Sequence, residues 1–266
     1  MQWLLQDSED TRKLGDVLTS LGRDVSWHKI IPFVGDLTPR PMIKDPHAVV
    51  LFGVYSMWKY AETHQLKPGV FRIAPFLEQS VWHPYLLNGV DAHVMPFGEC
   101  ASRFSGVDTL WFLRPVEDSK EVPGRVMAAQ GIAALSVRVA AFPDEDLPVG
   151  SLRADTLVML TEPQAIDEEW RLWVVEDRVV TYSRYKQAGQ VGYAHDILED
   201  ALKFGQKMAQ LNRGYAPAYV IDICRTEAGL RIIETNGINA AGFYAAELEP
   251  LRAWARVKVA GPQTQP

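Results

Sequence analysis

The sequence predicts a mixed fold: an α/β region with a parallel sheet, then an α+β region built on antiparallel hairpins. Three observations carry this. Over the first third of the chain, strand-like and helix-like patterns alternate, as they do where crossover helices join parallel strands. Further on, apolar runs come in pairs separated by short turns, the pattern of hairpins. Of the 266 residues 47% are apolar and 23% charged, enough for a substantial core, with no repeat or low-complexity tract.

In chain order, "QWLLQ" reads as the first strand and "SEDTRKLGDVLTSLG" as a helix. Ser8 is placed to cap that helix, and Leu14, Val17, Leu18 and Leu21 share one face. "RDVSWHKI" and "HAVVLFGVY" are the next strands, with "SMWKYAETHQL" a second helix. The turn "GVYSM" opens that helix and offers amide groups to an anion. "MPFGECASRF", with Pro96 and Gly98, reads as a boundary. Beyond it come the strand "DTLWFLRPV", the loop "EDSKEVPG", a helical "RVMAAQGIAALS" and the strand "DTLVML". "EWRLWVVEDRVVTYSRY" is a hairpin turning at Glu176-Asp177 or Asp177-Arg178, "HDILEDALKFGQKMAQLN" is a helix, and "AYVIDICRTEAGLRIIETN" is a second hairpin. Trp58, Trp82, Trp111, Trp170 and Trp173 read as core or interface residues rather than a stacking platform.

The net charge of −6 argues against broad binding to nucleic acid or anionic membrane. Cys100 and Cys224 form neither a metal-ligand spacing nor a disulfide framework, which fits a reducing, cytoplasmic setting. The N-terminus lacks the basic and apolar regions of a signal peptide, and no apolar run approaches the ~20 residues of a membrane helix. The six histidines show no ligand spacing.

The second hairpin carries acids inside an apolar strand, which is costly unless something satisfies them. A three-residue loop Glu227-Ala228-Gly229, with glycine at the left-handed position, sets Asp222 opposite Glu234. Asn236 then shares their face. Two carboxylates that close repel unless a cation lies between them, and Asp, Glu and Asn are oxygen donors suited to Mg²⁺. The competing reading pairs Glu234 with an arginine such as Arg231 or Arg225.

The ordered set "LWFLRP", "VMLTEP", "EWRLWVVEDRVVTYSRY" and "VIDICRTEAGLRIIETN" across residues 108–244 resembles the ATP-grasp superfamily. More narrowly, "FLRPVEDSK" and "NGINAAGFY" resemble a phage and bacterial clade with arginine in place of the usual ATP-binding lysine. The resemblance implies a Rossmann-like pre-grasp domain at 1–94, a central ATP-grasp subdomain at 95–157, a C-terminal subdomain at 158–256 and a tail at 257–266. It implies ATP and Mg²⁺ as cofactors. Arg114 and Lys120 would bind phosphates, Leu160, Thr161 and Glu162 adenine or ribose, and Asp222, Glu234 and Asn236 the metal. Arg171 and Arg184 would approach each other across the first hairpin and hold phosphate and an attacking carboxylate. Lys186, Tyr244 and Asn239 are secondary candidates. The implied reaction is carboxylate–amine or carboxylate–nucleophile ligation through an acyl phosphate, releasing ADP and phosphate. A phosphotransferase forming a phosphate ester and a non-catalytic nucleotide-binding module are the alternatives. The carboxylate and its acceptor stay open, from an amino acid to a peptide or protein.

Overall fold

The computed structural model describes residues 1–32, 34–88, 92–104, 106, 108–116, 123–143, 146–147 and 151–256. Contacts divide the chain into two compact units. One joins Met1–Ala74 to Ile166–Pro266, and the other is Pro75–Ala165.

The first unit opens with β1 (Gln2–Gln6), α1 (Glu9–Ser20), β2 (Asp24–Ile30), β3 (Leu37–Thr38), β4 (Val49–Phe52), α2 (Tyr55–Thr63) and β5 (Pro68–Gly69). The sheet order is β3-β2-β1-β4-β5, and β1 runs parallel to both β2 and β4. At the start of α1 the Ser8 and Thr11 hydroxyls lie 3.1 Å apart, and the Ser8 N–H donates to Thr11 Oγ1 at 3.2 Å. Leu14 and Leu18 are the buried leucines of this helix, so its apolar stripe faces the core as the spacing predicts. The amides of the turn after β4 have internal partners: Gly53 N–H donates to the Asn239 carbonyl and Val54 N–H to Gln6 Oε1, both at 2.8 Å.

The second unit holds β6 (His93–Pro96), α3 (Cys100–Arg103), β7 (Leu110–Pro115), β8 (Arg125–Ala128), α4 (Ala129–Ala140) and β9 (Leu157–Thr161). Its antiparallel sheet has the order β6-β9-β7-β8. Two segments are folded otherwise than their local sequence suggests. The segment read as a boundary forms β6 and α3 and buries Phe97, Cys100 and Phe104. The stretch "RVMA", read as helix, is β8, because pairing along β7 overrides the helical preference of Met and Ala. The helix proper starts at Ala129.

The chain then re-enters the first unit as β10 (Glu168–Val175), β11 (Arg178–Gln187), β12 (Gln190–Ala194), α5 (Glu199–Leu211), β13 (Ala218–Thr226), β14 (Gly229–Gly237) and α6 (Arg252–Arg256). The sheet order is β12-β11-β10-β13-β14, antiparallel throughout. The β10–β11 turn is Glu176-Asp177, both with left-handed φ (48° and 61°). That is the backbone twist a two-residue hairpin favours. Helix α5 covers one face of this sheet. A Cβ at Gly205 would lie 2.3 Å from Leu172 Cδ2, so a larger residue there would force that side chain to move.

The opposite face changes character along its length. At one end Trp173, Val175, Ala218 and Val220 join Trp3, Leu5, Val50, Phe52, Phe243 and Trp254 in one core shared with the parallel sheet. Trp3 meets Trp254 edge-on at 4.8 Å, and Phe52 stacks on Phe243 at 5.1 Å. At the other end the same face carries Glu169, Arg171, Asp222 and Glu234, in register across β10, β13 and β14. Period two along the strands places all of these on one side.

Candidate active site

The acids stand where the sequence puts them, by a different route. Asp222 is paired with Glu234, but the turn pairs Thr226 with Gly229 and so has only two linking residues, Glu227 and Ala228. A register shift between Asp222 and Ile223, with Ile233 as the extra residue of β14, restores the pairing. Gly229 takes the expected positive φ, 100°.

Around Asp222 the charges are closely matched. The Arg171 guanidinium donates to both carboxylate oxygens, Nε to Oδ1 at 2.8 Å and Nη2 to Oδ2 at 2.7 Å. Asp222 is 2% exposed and Arg171 7%. Burial acts to lower the Arg171 pKa, but the Asp222 charge and its hydrogen bonds outweigh it and raise the value. Asn236 Nδ2 donates to Glu234 Oε1 at 2.9 Å, while Asn236 Oδ1 is buried with no hydrogen-bond donor among the described residues. Arg225 is engaged by Asp200 at 2.9 Å and Arg231 Nη1 by the Leu230 carbonyl at 2.8 Å.

Two residues join this cluster that the sequence reading did not assign. Glu169, buried on the same face, pairs with Lys186 Nζ at 2.8 Å. Tyr185 is half-buried, and its hydroxyl pKa is raised well above the ordinary value by burial, then by Asp222 and Glu169. The signal for Glu169 was present: it is the acid of the Glu-Trp-Arg triplet, two residues from Arg171 on an alternating strand. Tyr244 lies over Arg171, with 5.0 Å from the guanidinium carbon to the ring centroid. Its own pKa is raised, chiefly by burial.

Arg171 and Arg184 do not converge, and that expectation is corrected. Arg171 is opposite Ser183 and Arg184 opposite Trp170, so strand alternation sends them to opposite faces. The register shift between Trp173 and Val174, with Val180 as the extra residue of β11, produces this pairing. Arg184 instead forks onto Asp196 at 2.8 and 2.9 Å. Asn239 is a structural joint: its Oδ1 accepts from Phe71 N–H at 2.8 Å and its Nδ2 donates to the Leu51 carbonyl at 2.7 Å.

In the second unit Arg114 is 8% exposed on β7, bonds its neighbour Pro115 through the carbonyl at 3.3 Å and lies 5.3 Å over the Phe76 ring. Leu160 and Thr161 are buried at the end of β9, Thr161 Oγ1 has no hydrogen-bond partner among the described residues, and Glu162 beyond them is exposed. Lys120 and the tail 257–266 lie outside the described residues.

The donor set fits a hard divalent cation. Two carboxylates face each other, and a buried amide oxygen beside them awaits an electropositive partner. Among the described residues no three His, Cys, Asp or Glu side chains converge as a metal-binding group.

Comparison with solved structures agrees with this architecture. A RimK domain ATP-grasp protein from Sphaerobacter thermophilus superposes with a TM-score of 0.58, at 12% identity over 89% of this chain and 91% of its own. D-cycloserine synthetase DcsG gives 0.57 at 15% identity, over 95% and 97%. The ATP-grasp ligase PsnB, complexed with a minimal precursor, gives 0.51 at 14% identity, over 96% and 98%. No curated protein sequence matches the chain. The family model of the ATP-grasp domain, R-two-K clade family 3, matches residues 27–257. The chain belongs to the ATP-grasp superfamily, in family 3 of that clade.

Proposed function

We propose that this protein is an Mg²⁺- and ATP-dependent ligase that joins a carboxylate to an amine or another nucleophile, through an acyl phosphate, releasing ADP and phosphate. The observation that carries this reading is the ionic end of the antiparallel sheet, with Asp222 opposite Glu234 and the unsatisfied Asn236 Oδ1 beside them. Asp222, Glu234 and Asn236 would hold magnesium, which would offset charge on the β- and γ-phosphates. Arg114 and Lys120 are assigned to the phosphates, and Leu160, Thr161 and Glu162 to adenine and ribose. Arg171 has a planar fork of donors suited to a carboxylate or phosphoryl oxygen. Arg184 enters from the motif alone, since it lies on the other face from Arg171. No side-chain nucleophile is needed, because positioning and charge neutralisation carry such a transfer. The modules at 1–94, 95–157 and 158–256 are proposed as pre-grasp, central and C-terminal parts. Among the described residues no helix is long and apolar enough to cross a membrane. PsnB was solved with a minimal precursor, which supports including peptides in the panel of carboxylates and acceptors to test.

The test supplies Mg-ATP, hydroxylamine and a panel of amino acids, peptides and other carboxylates. The expected outcome is ADP formation coupled to a hydroxamate, because an acyl phosphate reacts with a strong nucleophile. AMP with pyrophosphate refutes the ligase reading. A stable phosphate ester without hydroxamate favours the phosphotransferase. Binding of Mg-ATP without any turnover across the panel favours the non-catalytic module.

A further inference from the structure

The fork of Arg171 covers both oxygens of the carboxylate that the proposed metal would use. A cation arriving at Asp222 therefore meets a site already filled by another cation, at 2.8 and 2.7 Å. Asp222 is 2% exposed and Asn236 1%, so both face the protein interior. The loop after β14 holds this arrangement in place. Tyr244 has φ 53°, a conformation that is strained for a bulky residue. Its neighbours fix it there. Phe243 is anchored in the core on Phe52, and Ala245 N–H donates to Ser183 Oγ at 3.2 Å. So constrained, the Tyr244 ring lies over the guanidinium, flanked by Tyr185 at 5.5 Å and Tyr193 at 4.8 Å. A cation over an aromatic face gains most where water is excluded, as here.

We propose that Arg171 is a placeholder cation on Asp222, and that Tyr244 is the positioning residue that keeps it there. Metal entry then requires the fork to leave the carboxylate. The same event frees the Arg171 donors for a substrate anion, so metal loading and substrate capture are coupled. This inference rests on the reading of Asp222 as a metal ligand. Removing any cation near a metal site raises metal affinity, so the decisive variants preserve the charge and change only the geometry.

The experiment measures Mn²⁺ binding alone, without nucleotide, by the loss of the free-ion electron paramagnetic signal. Arg171→Lys keeps the charge but loses the bidentate fork, and is expected to bind Mn²⁺ about tenfold more tightly, the equivalent of one charge-assisted hydrogen bond. Tyr244→Ala is expected to tighten binding several-fold, while Tyr244→Phe, which keeps the ring, matches the unaltered protein. Thermal unfolding establishes that each variant is folded, and Tyr244→Ala carries the test should Arg171→Lys fail to fold. Glu234→Gln serves as the control for the underlying assignment and is expected to weaken Mn²⁺ binding. Unchanged affinity in both Arg171→Lys and Tyr244→Ala, with Glu234→Gln weakened, overturns the placeholder and leaves the metal site standing. Unchanged affinity in Glu234→Gln overturns the metal site itself, and the placeholder with it.

Discussion

The two sheets of the first unit bury polar groups in opposite ways. Around the parallel sheet the buried polar side chains that make hydrogen bonds are uncharged and bond mostly to the backbone. Asn239 bonds Phe71 and Leu51, and His28 bonds Ser26 Oγ at 2.7 Å and the Pro39 carbonyl at 2.6 Å. In the antiparallel sheet the buried polar groups include ions, set on neighbouring strands: Glu169 with the half-buried Lys186, Arg171 with Asp222, and the half-buried Glu234 beside the neutral Asn236. Neutral joints of the first kind stitch distant segments together at little electrostatic cost. Buried ions carry a desolvation penalty that apolar residues would avoid, so their concentration in one place points to chemistry rather than to stability.

Three measurements sharpen that contrast. The largest effect is expected from Arg171→Met, which leaves Asp222 buried without its countercharge. Stability should fall by about 3–5 kcal/mol in a urea titration, and divalent cation should restore part of it. A loss below about 1 kcal/mol would mean the pair behaves like a surface bridge, and the contrast would disappear. Asp222→Asn breaks the same fork, so Glu234→Gln is the cleaner variant for reading turnover apart from folding. Next comes Asn239→Ala, which strips partners from two backbone groups. It should cost about 2–3 kcal/mol and leave Mn²⁺ affinity unchanged. A shift in metal affinity would place Asn239 in the site instead of the scaffold.

The smallest effect is the pH response of His28. Its pKa is lowered from 6.5, mainly by burial, against a weaker opposing pull from the Pro39 carbonyl. The folded value thus lies below the unfolded one. The resulting stability is present above about pH 6.5 and is lost as the pH falls through the folded pKa. The slope should stay under about 1.4 kcal/mol per pH unit, read as the fall in Tm from about pH 8 to about pH 5. His28→Gln should flatten it, and an unaltered slope in that variant would assign the acid sensitivity elsewhere.

Much of the fold was legible because alternation and helical spacing are written directly in the residues. The Asp222–Glu234 pairing was legible for the same reason, although its actual origin combines a two-residue turn with the extra residue at Ile233. A bulge leaves no mark in "LRIIETN", because Ile suits a bulged position as well as a regular one. The extra residue Val180 is similarly silent in "RVVTY", yet it decides that Arg184 turns away from Arg171. The turn amides at Gly53 and Val54 read as an anion site only until Gln6 and Asn239, distant in sequence, take them up. β6 and β12 were missed because each is short and carries Pro or Gly, which punctuate loops more often than strands.

The shared core of the first unit has a consequence for how the chain is made. Trp3, Leu5, Phe52 and Phe71 are completed only by Trp173, Val220, Phe243 and Trp254, on the far side of the inserted Pro75–Ala165 segment. A ribosome adding about 5–20 residues per second spends roughly five to twenty seconds on that insertion. Throughout that interval the nascent N-terminal sheet holds its tryptophan and phenylalanine side chains without those C-terminal partners. A polypeptide cut short within the insertion would be an aggregation-prone product and a client for holdase chaperones, whereas the finished chain closes its first and last segments together.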